Sequence, residues 1–255
     1  MTLEATKTES FYDRPNITKG VIDIGAGIPF GMEPVSNPSV GIGGVYGTWG
    51  ESFSNENLHF FIEERLGRPL PAAEKLNLSD LGFRSRHHIP LNLTPDEHSR
   101  LEIEVGAKFL SEAIKACNWE PSEVAGVLIG MSAPLSSDYL NQISRAAGIP
   151  ESALKVATHK ACDGSTSSLH LALNPTLPEN LQLHQNIAES LYGKKVLVGG
   201  IEGLSRFVGS SHDANALQLF GNAAGVVGVI PGKTMRLIAG KSHEAFDEDG
   251  VLQVQ

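Results

Sequence analysis

The segment VAGVLIGMSA, residues 124–133, constrains the fold of this chain more than any other. It is a short, continuous apolar run, which is typical of a strand buried on both faces. A second buried strand is expected at Leu154–Thr158, followed by a helix over Gly164–Leu173, and a third strand begins at Lys195. Strands that alternate with helices in this way predict the α/β class, with a mostly parallel sheet covered on both sides.

Residues typical of helix starts and helix ends delimit several other elements. The run Thr94-Pro95-Asp96-Glu97 is a capping-box pattern with proline at the first helical position, and it predicts a helix that reaches about Cys117. Residues 55–67 carry apolar side chains at helical spacing and end in a glycine, which predicts a second helix. Residues 221–232 and 234–240 are rich in β-branched residues, and we expect two successive strands there.

The N-terminal region is marked by polar residues and glycines. Residues 1–18 are polar and poor in aliphatic side chains, which predicts a flexible tail ahead of a single domain over residues 19–255. The first strand is expected at residues 20–24. The stretch GIGGVYGTWG, residues 41–50, is so rich in glycine that we interpret it as a loop inserted into the domain, one that approaches another group closely.

Composition excludes several classes of function. The 255 residues are 41% hydrophobic and carry a formal charge of −9 without a dense basic run, which argues for a globular protein and against nucleic-acid binding. No uncharged apolar run approaches the roughly 18 residues of a membrane span, and the N-terminus lacks the apolar core of a secretory signal. Two cysteines cannot form a disulfide framework. We therefore expect a cytoplasmic protein that neither spans nor binds a membrane.

Cys162 is the residue best placed for chemistry. It follows a buried strand and directly precedes a helix, so its thiol would meet the positive end of the helix dipole and unpaired backbone N–H groups. Both features favour the nucleophilic thiolate, and the N–H groups could stabilise an oxyanion. From the local sequence alone, a buried structural cysteine is an equal alternative. Cys117 lies on the apolar face of its helix, and we interpret it as structural.

The sequence contains no pattern for a metal ion or a nucleotide cofactor. The nine histidines are scattered without ligand spacing, so no zinc site is expected. His159, three residues before Cys162, is interpreted as a strand-end residue rather than a catalytic base. The segment IGAGIPFG fails the dinucleotide fingerprint, because Phe30 stands where the third glycine is required. We expect no tightly bound cofactor.

Several segments, taken in order, resemble the ketoacyl-acyl-carrier-protein synthase III enzymes. The segment GFRSRH, residues 82–87, is similar to a motif near the start of those enzymes. Residues 140–173 resemble their helix, strand and nucleophile elbow, and residues 196–207 and 220–230 resemble the strands that close the first half of the molecule. The resemblance runs from about residue 20 to residue 250.

This resemblance implies a thiolase-like fold, of which the chain would form one half of the layered α/β/α/β/α architecture around a mostly parallel mixed sheet. It also implies that Cys162 takes an acyl group from acyl-CoA and that Arg84 contacts the coenzyme A. In that family the acyl group then condenses with a malonyl group on an acyl carrier protein, in fatty acid or polyketide biosynthesis. Acyl-CoA and an acyl carrier protein are thus the implied substrate and partner.

The chain departs from the family pattern in three places. No residue matches the catalytic histidine and asparagine, which the family takes from its second half. The tryptophan that stacks on adenine is replaced by Leu76, and an aspartate of the family's glycine-rich turn is replaced by Asn222. We therefore expect a homodimer, or a heteromer with a chain that carries the second half.

Two other functions remain open at this stage. The same cysteine could serve an ester- or amide-forming acyltransferase, or the chain could be a non-catalytic thiolase-fold subunit that completes a partner.

A cluster of basic residues has two interpretations. It could form a local basic rim that binds an acidic carrier protein, or it could be a set of solvated surface residues. These residues are Arg65, Arg68, Arg84, Arg86 and His87.

Overall fold

A computed structural model describes residues 18–22, 28–37, 39, 41–89, 93–132, 134–177, 186–209 and 213–240. Its strands are β1 (Thr18–Ile22), β2 (Ile28–Asn37), β3 (Ile42–Trp49), β4 (Glu51–Ser54), β5 (Ser85–His88), β6 (Val124–Gly130), β7 (Leu154–Thr158), β8 (Lys195–Gly203) and β9 (Asn222–Val229). Its α-helices are α1 (Asn55–Leu66), α2 (Pro95–Ala116), α3 (Tyr139–Ala146), α4 (Gly164–Leu173), α5 (Ile187–Leu191), α6 (Leu204–Gly209) and α7 (Ala214–Leu219).

Seven strands form one mixed sheet in the order β1-β2-β3-β9-β8-β6-β7. The α/β class and the mixed sheet are confirmed, but the expectation that the sheet is mostly parallel is wrong. Two of the six pairings, β6 with β7 and β6 with β8, are parallel, and the other four are antiparallel. Helices connect β6 to β7 and β7 to β8, which supplies the crossover that a parallel connection needs.

The glycine-rich stretch at residues 41–50 is a central strand of the sheet rather than the loop that the sequence suggested. Strand β3 lies between β2 and β9, and its glycines allow neighbouring backbone to come close. A Cβ at Gly43 would overlap with the carbonyl oxygen of Ala116 at the end of α2, and one at Gly47 would overlap with the carbonyl oxygen of Gly31 on β2. Glycine density here therefore indicates close packing and not conformational freedom.

Helices cover both faces of this sheet. Helices α2 and α3 pack on one face, where Phe109, Leu110 and Ile143 are fully buried against strands β3, β6 and β8. Helices α4 and α5 pack on the other face against Leu128 and Val196. The predicted capping box opens α2: Thr94 and Glu97 exchange side-chain and backbone hydrogen bonds.

A second, two-stranded sheet, β4-β5, lies beside the main one. It packs with α1 and α7 around a separate apolar cluster that contains Leu58, Ile62 and Leu217. The predicted end of α1 is confirmed, because Gly67 adopts a left-handed conformation with φ of 63° and its N–H donates to Glu64.

Three expectations about the chain termini have different outcomes. The flexible tail at residues 1–18 lies outside the described residues except for Thr18, which belongs to β1. The first strand was expected at residues 20–24, but it is described only as far as Ile22. A strand at residues 234–240 is not formed; Met235 makes only an isolated bridge to Pro231, because the turn at Gly232 leaves β9 and does not return along it.

The glycines of β3 provide a test of this packing. Replacing Gly43 by alanine forces a methyl group into the backbone of α2, so we expect the free energy of unfolding to fall by about 1–3 kcal/mol in urea titrations. The matched control is Gly225→Ala on the neighbouring β9. Its Cβ would meet nothing closer than the Cβ of Tyr46 at 3.8 Å, so its stability should stay equal or rise slightly. Equal losses in both variants would contradict the close approach.

Candidate functional site

Three glycines bring the start of α4 directly onto the sheet. A Cβ at Gly130, the last residue of β6, would overlap with the backbone of Gly164 and Ser165. One at Gly200 on β8 would overlap with Ser165 Oγ. In return, a Cβ at Gly164 would lie 3.0 Å from the Cα of Gly130. The N-terminus of α4 is therefore fixed above the carboxyl ends of β6 and β8.

Thr158, the last residue of β7, ties this helix to the sheet. Its buried hydroxyl donates to the carbonyl oxygen of Gly164 at 2.9 Å and lies 2.6 Å from Ser168 Oγ, one helical turn further on. Helix α4 buries a stripe of small residues, Gly164, Ser168 and Ala172, against the sheet. Small side chains with internal hydrogen bonds allow this short separation between helix and strands.

Cys162 lies in the tight turn between β7 and α4. Residues 161–163 form a single 3₁₀ turn, and Ala161 has a φ of 44°, a conformation that costs a non-glycine residue roughly 1–2 kcal/mol. The Cys162 side chain is exposed, so the alternative of a buried structural cysteine is wrong. Strained turns of this kind persist where the surrounding structure determines them, and they are concentrated at active sites.

Two of the backbone N–H groups expected to be unpaired at this turn are in fact used. The N–H of Asp163 donates to the Lys160 carbonyl oxygen at 3.0 Å, and the N–H of Gly164 donates to Ala161. The 3₁₀ turn consumes these donors because its hydrogen bonds span three residues. Any stabilisation of an oxyanion at Cys162 would therefore depend on other donors.

Polar side chains from the adjacent strand ends meet at the same edge of the sheet. Glu202, near the end of β8, accepts hydrogen bonds from the backbone N–H of Ser132 at 2.6 Å and from its hydroxyl at 2.8 Å. Burial raises the pKa of the Glu202 carboxyl, and the Ser132 bonds and the nearby His159 act in the opposite direction. His159 directly follows β7, as expected, and its Nδ1 lies 3.0 Å from the Met131 carbonyl oxygen.

Glu202 and Ser132 were not predicted from the sequence. Each is a polar residue near the carboxyl end of a buried strand: Ser132 lies two residues after the end of β6, and Glu202 directly follows Ile201 on β8. That position is a known signal, since ligands of α/β sheets bind outside the carboxyl ends of the strands.

Arg84 lies elsewhere, in the β4–β5 part of the molecule. It is exposed and lines an open groove of about 650 Å³ between the start of α1 and the turn at residues 78–84. The other lining residues are Ser54, Asn55, Glu56, Ser79, Gly82 and Phe83. Leu76, at the position of the family's tryptophan, is partly buried against the α1–α7 cluster.

Two members of the proposed basic rim have structural roles instead. Arg86 is 8% exposed; its Nε donates to the Leu219 carbonyl oxygen at 3.0 Å, and its guanidinium lies 3.6 Å from the centre of the Phe83 ring. Arg68 forms a salt bridge with Glu74 at 2.8 Å, which neutralises its charge locally. The rim is therefore smaller than the sequence suggested.

Asn222 keeps a structural role at the start of β9. It is 2% exposed; its Oδ1 accepts from the Ser205 N–H at 3.0 Å, and its Nδ2 donates to the Trp49 carbonyl oxygen at 3.2 Å. The amide thus joins the start of β9 to Ser205 and to the backbone of Trp49.

Cys117 behaves as a structural cysteine. It caps α2, and its Sγ lies 3.2 Å from the Gly43 carbonyl oxygen. Burial raises the pKa of its thiol.

Within the described ranges, no three His, Cys, Asp or Glu residues are grouped so that they could hold a metal ion, and no helix there is long and apolar enough to cross a membrane.

Comparison with known proteins identifies the fold. No family model matches the chain, and no curated protein matches it. Among solved structures, 1,3,6,8-tetrahydroxynaphthalene synthase from Streptomyces coelicolor A3(2), a bacterial type III polyketide synthase, matches with a TM-score of 0.52 at 11% identity over 71% of this chain. A type III pentaketide synthase from Neurospora crassa matches with a TM-score of 0.50 at 20% identity over 70% of this chain. A 3-oxoacyl-(acyl-carrier-protein) synthase III matches with a TM-score of 0.47 at 20% identity.

The first two matches show that the chain has the thiolase-like fold of these condensing enzymes, as the resemblance implied. They cover 53% and 52% of the solved chains, so this chain spans about half their length.

The strain at Ala161 can be measured directly. Ala161→Gly removes the penalty of the left-handed conformation, so we expect the free energy of unfolding to rise by about 1 kcal/mol. Ala157→Gly on the exposed side of β7 is the control, and it should lower stability by about 0.5–1 kcal/mol. A loss of stability in both variants would show that Ala161 is not strained.

The two cysteines should differ in reactivity. At pH 7.5 we expect iodoacetamide to modify Cys162 at least about tenfold faster than Cys117, because Cys162 is exposed and burial raises the pKa of the Cys117 thiol. Peptide mass spectrometry of samples quenched over time gives both rates in one experiment. Raising the pH should narrow the difference as Cys117 ionises; equal rates at pH 7.5 would contradict the assignment.

Proposed function

We propose that this chain is the nucleophile-bearing half of a condensing acyltransferase, in which Cys162 takes an acyl group from acyl-CoA. In the complete enzyme, the acyl group would condense with a malonyl group on an acyl carrier protein, as in the 3-oxoacyl-acyl-carrier-protein synthase III reaction. The observation that carries this proposal is the position of Cys162: an exposed thiol in a strained turn at the N-terminus of α4. Nucleophiles are commonly presented on such turns.

The loading step has a simple chemical course. The Cys162 thiolate attacks the thioester carbonyl carbon, the bond to the coenzyme A sulfur breaks, and a new thioester forms on Sγ. No resident metal or cofactor takes part in this proposal, and coenzyme A enters only as part of the substrate.

Arg84 is the proposed contact for coenzyme A. Arg84 is exposed and lines the groove at the start of α1, together with Ser54 and Ser79. A cation beside hydroxyl donors suits a phosphate-bearing substrate. Leu76 offers no aromatic face, so the adenine would be held more weakly than in the typical family member.

We propose that the catalytic histidine and asparagine come from a second half of the fold, carried by a partner chain in a heteromer. A homodimer of these 255 residues would bring no residue that matches either. This proposal is supported by α4, on which Leu169, Leu171 and Leu173 remain partly exposed although the first two also contact the core cluster that contains Leu128. In the layered architecture such a helix lies between two sheets.

A reaction of this type would be part of fatty acid or polyketide biosynthesis, and we propose a cytoplasmic location for the protein.

Intact-mass measurement after incubation with short- and medium-chain acyl-CoAs tests the loading step. We expect a mass gain of one acyl group, complete loss of that gain in Cys162→Ala, and an unchanged gain in the control Cys117→Ser. Labelling of Cys117 instead, or a gain that survives in Cys162→Ala, would overturn the assignment of the nucleophile.

The same samples separate the alternative functions. Carbon dioxide released on adding malonyl-carrier protein together with the second half indicates condensation. Transfer to an alcohol or amine without carbon dioxide indicates an ester- or amide-forming enzyme. The absence of any acyl gain favours a non-catalytic subunit.

A further inference from the structure

Glu202 faces the same side of the sheet as the start of α4. Side chains alternate along a strand, so Glu202 lies on the face of Gly200, which contacts Ser165 of α4. Ile201, the residue between them, is buried in the opposite layer with α2 and α3. Glu202 lies two residues after Gly200 on the strand, which places it about 7 Å closer to the carboxyl edge of the sheet.

Cys162 and Ser132 both lie two residues from the contact between Gly130 and Gly164 at this edge of the sheet. Cys162 lies two residues before Gly164, and Ser132 lies two residues after Gly130, the glycine against which Gly164 packs. Ser132 in turn holds the Glu202 carboxylate with two hydrogen bonds. The carboxylate and the thiol are therefore placed at the same corner of the molecule.

The environment of Glu202 suits a proton acceptor rather than a salt bridge. Among the described residues, no lysine or arginine pairs with it, and it is half-buried. The titratable groups that act on it electrostatically are His159 from the end of β7 and Tyr139 from α3. Burial raises the pKa of its carboxyl above that of an ordinary glutamate, which makes the carboxylate a stronger proton acceptor.

We propose that Glu202 accepts the proton of an O–H nucleophile that attacks the acyl-Cys162 thioester, so that the chain also releases its acyl group to water or a small alcohol. The nucleophile's oxygen bonds to the carbonyl carbon, and the carbon–sulfur bond breaks. The proton passes from the nucleophile to the Glu202 carboxylate and then to the Cys162 thiolate, which restores both groups. This inference rests on the proposed function only in requiring that Cys162 carries an acyl group.

p-Nitrophenyl acetate tests the inference without coenzyme A. A burst of p-nitrophenolate measures acylation of Cys162, and the steady rate that follows measures release of the acetyl group. In Glu202→Gln, which can still accept both Ser132 hydrogen bonds, we expect an unchanged burst and a steady rate about 100-fold lower. Glu151→Gln, an exposed carboxylate paired with Arg145, is the matched control and should behave as the wild type.

The pH profile separates proton acceptance from a structural role. The wild-type steady rate should rise with pH as Glu202 ionises, over a range shifted upward from that of an ordinary glutamate because burial raises its pKa. This rise should be absent in Glu202→Gln. Ethanol added to the assay should divert product from acetate to ethyl acetate, detected by proton NMR, if the site accepts a small alcohol. Acetate alone would identify water as the acceptor, and either product supports the inference.

An unchanged steady rate in Glu202→Gln would overturn the inference, and so would a wild-type protein that shows no burst. Urea unfolding of the variant at an unchanged midpoint verifies that it is folded. A protein that shows the burst and the Glu202-dependent release but is not acylated by acyl-CoA would refute coenzyme A as the donor while leaving this inference intact.

Discussion

The close contact between Gly130 of β6 and Gly164 of α4 is the constraint on which the site depends. A side chain at either position would push the helix away from the sheet, and the strand ends would no longer lie beneath the helix start. Thr158 secures the same contact by donating its hydroxyl hydrogen to the Gly164 carbonyl oxygen. The position of the Cys162 turn thus follows from the absence of two side chains and the presence of one hydroxyl group.

The elements of the parallel core could be predicted from the sequence because local signals and tertiary structure agree there. The bounds of β7 and α4 are as expected, and the Thr94 capping box begins α2. The glycine-rich strand β3 could not be predicted, because its glycines report a close approach to the end of α2, a contact that is distant in sequence. The antiparallel pairings of β3 could not be predicted for the same reason, since register and direction depend on partners rather than on propensity.

The candidate site shows the same limit. Cys162 could be found from its place between a strand and a helix, but its exposure and the hydrogen bonds that occupy the neighbouring N–H groups are properties of the folded turn. Glu202 and Ser132 are 70 residues apart in sequence, and only the pairing of β6 with β8 brings them together. Arg86 is an example in which the sequence misleads. Its charge suggests a surface position, but the side chain is buried and joins β5 to the end of α7 by a hydrogen bond to Leu219.

The amide of Asn222 limits which side chains this position can accept. It donates to Trp49 and accepts from Ser205 at once, so one side chain joins the end of β3, the start of α6 and the start of β9. A carboxylate in its place would accept from Ser205 but would set an oxygen against the Trp49 carbonyl oxygen, with no proton between them. An ionised aspartate at position 222 would therefore require the backbone at Trp49 to follow another path.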